Sequence, residues 1–139
     1  MRLLDTNIVI YALGRPHPYK ETCARLLREI GGGASDYAID TELLQEVLHV
    51  YTLRAERRQA FLVFDNLLRV FPDPIPIGRS EVLAARRLME LNPILSPRDA
   101  IHAAVVQTHG MEGIVTTDKA FAQIPGIAVF DPLALSPQR

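Results

Sequence analysis

The sequence predicts an α/β domain in which helices cover both faces of a central, mostly parallel sheet of about five strands, three layers in all. Three observations carry this. Short apolar runs alternate along the chain with longer stretches whose apolar residues recur at helical spacing, the pattern of strands separated by crossover helices. The short runs are apolar throughout instead of alternating with polar residues, as expected of strands buried on both faces. Several of them stop abruptly on Asp or Thr, as strands do where they leave a sheet.

The first strand is Arg2-Leu3-Leu4, which halts at Asp5-Thr6-Asn7 before Ile8-Val9-Ile10-Tyr11-Ala12-Leu13 resumes the apolar pattern as a helix. Asp5 is therefore wedged between two segments that both favour burial, and a carboxylate held there needs a cation, a donor or a proton. It is equally good as the cap of the helix that begins at Thr6, and this stretch alone does not separate the two roles. Arg15-Pro16-His17-Pro18 breaks the helix. Residues 19–30 then place Cys23, Leu26, Leu27 and Ile30 on one helical face, and Gly31-Gly32-Gly33 ends it.

Tyr37-Ala38-Ile39 is a second strand, and Asp40 or Thr41 caps the helix through Leu43 to Tyr51. Residues 54–68 form another helix with Phe61, Leu62, Phe64, Leu67 and Leu68 facing inward. Pro72, Pro74 and Pro76 enforce an extended connection, in which Ile75 and Ile77 can form an edge strand, the place where a sheet tolerates proline. Residues 81–91 are helical up to Asn92-Pro93, and Ser96-Pro97-Arg98-Asp99 opens the next helix, ended by Gly110. Ile114-Val115-Thr116 is a strand that stops on Thr117 and Asp118, residues 119–124 make a short helix, and residues 127–130 are the last strand.

With 139 residues, the chain is expected to be a single domain spanning 1–139 with one good core. A hydrophobic share of 48% and a charged share of 22% leave no room for a long disordered tail. No apolar stretch approaches the ~20 residues of a membrane span, and the N-terminus has no basic region or cleavage site, which predicts a cytoplasmic protein. The lone Cys23 agrees and excludes cysteine-rich zinc sites. A net charge of -1 excludes proteins that hold nucleic acid mainly through a broad positive surface. The basic residues are nearly all Arg, a compositional habit more than a sign of forked phosphate contacts.

The chemistry lies in the acids. Asp5 and Asp118 close two strands and Asp99 opens a helix, all at boundaries that meet along one rim of such a sheet. A fourth acid comes from the middle helix. On a helical wheel Glu46 falls beside Leu43 and Val50 at the border of the apolar arc, whereas Glu42 lies further round toward solvent. Each acid taken singly has a plain structural role: Asp99 in a capping box with Ser96, Asp118 as cap of the helix at Lys119, and Glu46 as a border residue paired with an Arg. Taken together, four oxygen donors in an apolar setting suit a hard divalent cation such as Mg²⁺ or Mn²⁺.

Leu-Leu-Asp-Thr-Asn at the start, Leu-Leu-Gln-Glu-Val-Leu in the middle, Leu-Ser-Pro-Arg-Asp-Ala-Ile-His-Ala-Ala later and Val-Thr-Thr-Asp-Lys-Ala-Phe near the end resemble the PIN domain family, specifically its VapC-like toxin ribonucleases. The resemblance covers nearly the whole chain. It is strong at Asp5, Asp99 and Asp118, while both Glu42 and Glu46 are available for the middle acid, of which the wheel selects Glu46. It implies a metal-dependent endoribonuclease, commonly dimeric, held inactive by an antitoxin encoded beside it, or an RNA-processing nuclease of the same kind without an antitoxin. It further implies that Asp5, Glu46 and Asp99 hold one metal, that Asp118 serves a second metal or the attacking water, and that Thr6, Asn7 and Thr116 fix the carboxylate rotamers.

Two rivals come from other classes. Glu46 with His49 and Asp99 with His102 form acid-x-x-His pairs of the kind that ligate di-iron in helical bundles. That leaves Asp5 and Asp118 without a role, and it favours His49 and His102 as core or interface residues. A receiver-like signalling domain also holds Mg²⁺ beside an Asp after its first strand, but its phosphoacceptor would have to be Asp73, which sits among prolines.

Overall fold

The computed structural model describes residues 1–34 and 36–135. In chain order it contains β1 (Arg2–Leu4), α1 (Thr6–Leu13), α2 (Lys20–Gly31), β2 (Tyr37–Ala38), α3 (Thr41–Leu53), α4 (Arg57–Val70), α5 (Arg79–Leu91), α6 (Pro97–Thr108), β3 (Gly113–Val115) and β4 (Val129–Phe130). Single 3-10 turns cover Lys119–Gln123 and Pro132–Ala134. All strand pairs are parallel and the order is β2-β1-β3-β4.

Four named strands therefore stand where about five were expected. The fifth survives as one parallel bridge between Ile75 and Asp40. Pro74 and Pro76 flank Ile75 and have no N–H to donate, so the ladder cannot extend. The next donor, the Ile77 N–H, goes instead to the Thr41 hydroxyl at 3.1 Å.

β1 lies inside the sheet, and its successive side chains serve opposite faces. Leu4 joins a cluster with Ile8, Val9, Cys23, Leu26, Leu43, Val47 and Tyr51 from α1, α2 and α3, to which α4 adds Ala60 and Val63. Leu3 joins the other cluster, with Ala100, Ala103 and Val105 of α6, Leu88 of α5, and Ile114 and Phe121. Leu3, Leu4 and Ile114 are fully buried, each contributing about 1.5–3 kcal/mol of transfer free energy. Gly113 is required by close packing, because a Cβ there would run into the Ala128 carbonyl and the Phe130 ring of the neighbouring strand.

The expected helices are present with ends shifted by a few residues, but α4 turns Ala60, Val63 and Leu67 inward, and Phe61, Leu62 and Leu68, expected to face the core, are exposed because they lie off that stripe. Ser96 caps α6 by accepting from the Asp99 N–H at 3.2 Å, with Pro97 at the first helical position. Among the described residues no helix is long and apolar enough to cross a membrane. This layout brings the carboxyl ends of β1 and β3 together with the N-termini of α1, α3 and α6.

Candidate acidic active site

Asp5 follows β1 directly and is 3% exposed. It occupies the N-cap position of α1, yet its side chain makes no cap hydrogen bond. Its Oδ2 instead accepts from the Thr116 hydroxyl at 2.7 Å. The same hydroxyl accepts from the Asp118 N–H at 3.0 Å, so Thr116, at the end of β3, ties two of the four acids together. Asp118 spends one oxygen, Oδ1, on the Ala120 N–H at 2.9 Å as a cap.

Asp99 stands in the first turn of α6. Its carboxyl is pushed up to about 6, first by burial and then by the negative charges of Asp5 and Asp118. These three acids therefore share one electrostatic neighbourhood. Burial likewise raises Asp5, with Glu46 adding to the rise and His102 and the Thr116 hydroxyl opposing it.

Glu46 on α3 is buried, as the helical wheel predicts, while Glu42 is half-buried one turn earlier. Glu42 is nevertheless not remote. Burial and then the charge of Glu46 raise its carboxyl, while His102 and Arg98 pull the other way.

The feature missing from the sequence-based site is at its base. His102, expected to be a core or interface histidine, is fully buried but lies among acids. Its Nδ1 is 2.6 Å from Asp40 Oδ2 and its Nε2 is 2.9 Å from Glu46 Oε1. Asp5 Oδ1 is 3.9 Å away and the Thr6 hydroxyl 3.3 Å. Burial works against a charged ring, but the hydrogen bonds to Asp40 and Glu46 hold its pKa well above the ordinary histidine value. Asp40 is fully buried and does cap α3, its Oδ1 accepting from the Leu43 N–H at 2.9 Å. Its second oxygen is the one given to His102. A signal for both residues exists in the sequence: Asp40 follows a strand just as Asp5 does, and His102 lies one helical turn beyond Asp99.

Of the three expected supporting donors, Thr116 holds Asp5 and Thr6 faces His102. Asn7 is half-buried, and its amide makes no side-chain hydrogen bond among the described residues. His49 is exposed on α3 while His102 is fully buried, so the two acid-x-x-His pairs do not form a common di-iron site. Asp73 is exposed in the proline-rich connection and ends no strand, which removes the receiver-like alternative. Among the described residues, no three acidic, histidine or cysteine side chains already close around one point as an ion cage would. Glu46 is turned onto His102 and Asp5 onto Thr116.

Fold and site together define a parallel α/β domain with a cluster of acids at the carboxyl rim of its sheet. The PIN domain family model matches residues 2–127, and the chain belongs to that family. It is 35% identical over 127 residues to the VapC ribonuclease Mb1869c of Mycobacterium bovis and to ribonuclease VapC13 of Mycobacterium tuberculosis, covering 91% of this chain and 97% of each relative. Among solved structures it is similar to a toxin-antitoxin complex from Klebsiella pneumoniae, with a TM-score of 0.67, 25% identity, and coverage of 95% of this chain and 98% of that one. FitAcB from Neisseria gonorrhoeae shares the fold with a TM-score of 0.72 at 21% identity, covering 97% of this chain and all of that one.

Proposed function

We propose that this protein is a divalent-metal-dependent endoribonuclease, the toxin component of a type II toxin-antitoxin pair, with Asp5, Glu46, Asp99 and Asp118 as its catalytic acids. The observation that carries the proposal is the gathering of acids at one rim: Thr116 joins Asp5 to Asp118 through its hydroxyl, and burial first, then the charges of Asp5 and Asp118, raise the Asp99 carboxyl to about 6. Acids gathered at a sheet rim and repelling one another are suited to a cation, and the all-oxygen donor set suits Mg²⁺, or Mn²⁺, better than a softer metal. The names of the relatives, ribonucleases and toxin-antitoxin complexes, support the same reading.

Asp5, Glu46 and Asp99 would hold the ion, with Asp118 offering its uncapped oxygen to a second ion or to the attacking water. The bound metal would supply a hydroxide from water near neutral pH and offset charge on the phosphodiester as it is attacked. The chain's own part is orientation. Thr116 fixes the Asp5 carboxylate and, through the Asp118 N–H, the spacing of two acids. Thr6 and Asn7 line the start of α1, next to Asp5. A net charge of -1 is no obstacle, since attraction for RNA phosphate would come from the ions more than from surface Arg.

The partners proposed are an RNA substrate, a cognate antitoxin and a second copy of this chain, all in the cytoplasm. An apolar groove of ≈ 170 Å³ between α1, α2 and α4, lined by Leu13, Leu27, Val63, Leu67, Val70 and Phe71, suits an apolar antitoxin segment. A basic residue carried by the antitoxin would pair with the acids of the rim in place of metal. The test is incubation of purified protein with structured RNA in Mg²⁺, in Mn²⁺ and in EDTA. Endonucleolytic fragments are expected only with metal, and Asp5→Ala should remove them while leaving the circular dichroism spectrum intact. Fragments that persist in EDTA or in Asp5→Ala would reject the assignment.

A further inference from the structure

Asp40 and His102 stand outside the four proposed metal-binding acids, yet both are fully enclosed, the most buried polar side chains among the described residues. Three chain segments converge there: the end of β2 at Asp40, the middle of α3 at Glu46 and α6 at His102. A capping role accounts for one oxygen of Asp40, and core packing is better served by an apolar side chain than by an imidazole between carboxylates. Each ring nitrogen of His102 faces a carboxylate oxygen, at 2.6 Å and 2.9 Å, and a carboxylate only accepts. The ring is therefore clamped between Asp40 and Glu46 in one orientation.

We propose that Asp40 and His102 are positioning residues for Glu46: the Asp40–His102 pair pins one Glu46 oxygen from beneath, so that the carboxylate meets the metal in a single rotamer. Glu46 sits on a long side chain in mid-helix, and among the described residues His102 is the one hydrogen-bond partner of its carboxylate. Asp5 receives the same service from Thr116. His102 also connects the two acids, since its Nε2 lies 2.9 Å from Glu46 and 3.9 Å from Asp5. Partners that orient metal-binding groups in this way are typically worth about 10–100-fold in metal affinity or activity. This inference rests on the nuclease reading of the acidic rim.

The test measures Mn²⁺ binding by electron paramagnetic resonance, a readout independent of RNA cleavage, in the parent and in His102→Leu, His102→Gln and Glu46→Gln. His102→Leu removes both ring contacts and should weaken Mn²⁺ binding by about 10-fold or more. His102→Gln can still offer an N–H toward Glu46 and should recover part of the loss. Combined with Glu46→Gln, the His102→Leu change should add little, because its effect runs through Glu46. In metal-free protein labelled with ¹⁵N-histidine, the Nε2 resonance of His102 should shift in Glu46→Gln while the Nδ1 resonance, which faces Asp40, changes much less. A merely structural histidine would lower the melting temperature in both backgrounds while leaving Mn²⁺ affinity unchanged, and that result overturns the proposal. So does an affinity loss that persists undiminished beside Glu46→Gln. A parent that binds no Mn²⁺ would instead overturn the nuclease reading itself, and this inference with it; the two failures are told apart by the parent alone.

Discussion

Replacing Asp99 with Asn removes one charge from the crowded rim, and the size of the effect can be worked out. In the folded protein this carboxyl loses its proton at about 6 instead of 3.8. As pH rises, the unfolded chain ionises first, so between those values the unfolded state is favoured and metal-free stability falls. At full weight the rise corresponds to ~3 kcal/mol, and screening by the solvent that still reaches this group leaves roughly 1–2 kcal/mol. Losing an acid from the first turn of α6 gives back a few tenths to about 1 kcal/mol through the helix dipole. The net expectation for Asp99→Asn in EDTA at pH 7 is a gain of roughly 0.5–1 kcal/mol, or about 2–4 °C for a domain of this size. The gain should shrink to a small part of itself by pH 4, where the folded carboxyl is neutral and the unfolded one only partly ionised. Excess Mg²⁺ should stabilise the parent and do little for the mutant. Thermal melts at pH 4 and pH 7, each with EDTA and with Mg²⁺, make the comparison. A mutant destabilised equally with and without metal would mean that Asp99 serves only the helix start.

Glu46→Gln should abolish RNA cleavage while Glu42→Gln keeps most of it, assayed on the same RNA at equal metal; the opposite ranking would transfer the middle acid to Glu42. Thr116→Val removes the hydroxyl that holds Asp5 and steers Asp118, and its turnover should fall about 10–100-fold at unchanged fold, measured in single-turnover cleavage. Ile114→Ala opens a hole in the fully buried cluster around β3 and should cost about 2–5 kcal/mol in urea unfolding. Ala55 lies at φ 58° in the turn between α3 and α4, a left-handed conformation that costs a non-glycine residue about 1–2 kcal/mol; Ala55→Gly should raise the urea midpoint without altering activity.

The parts of the molecule legible in its sequence are those set by local pattern. Leu3 and Leu4 announce a strand buried on both sides, Glu46 falls on the border of its helical wheel, and Ser96-Pro97 marks the start of α6. The wheel succeeds at Glu46 because helix geometry fixes direction within a few residues. What it cannot supply is the partner: His102 meets Asp40 across 62 positions and Glu46 across 56, and spacing along the chain carries no information about such meetings. Asp40 is hidden for a different reason. It has a sufficient local role as a cap, and only the second oxygen, turned away from the helix, gives it another. The edge strand expected at Ile75 and Ile77 shrinks to one bridge because two prolines withhold donors.

The placement of β1 between β2 and β3 also sets the order in which the site can come into being. Asp5 is made first, but the hydroxyl that fixes it belongs to Thr116, 111 residues later, and β1 has no β3 neighbour until Gly113 to Val115 exist. At about 5–20 residues per second of synthesis, the rim stays incomplete for several seconds at least, and pairings this distant fold slowly once available. A chain interrupted anywhere before Gly113 lacks β3, Thr116 and Asp118 together. Asp5 thus waits for Thr116, and a product that stops before Gly113 carries the first acid of the rim without the hydroxyl that holds it.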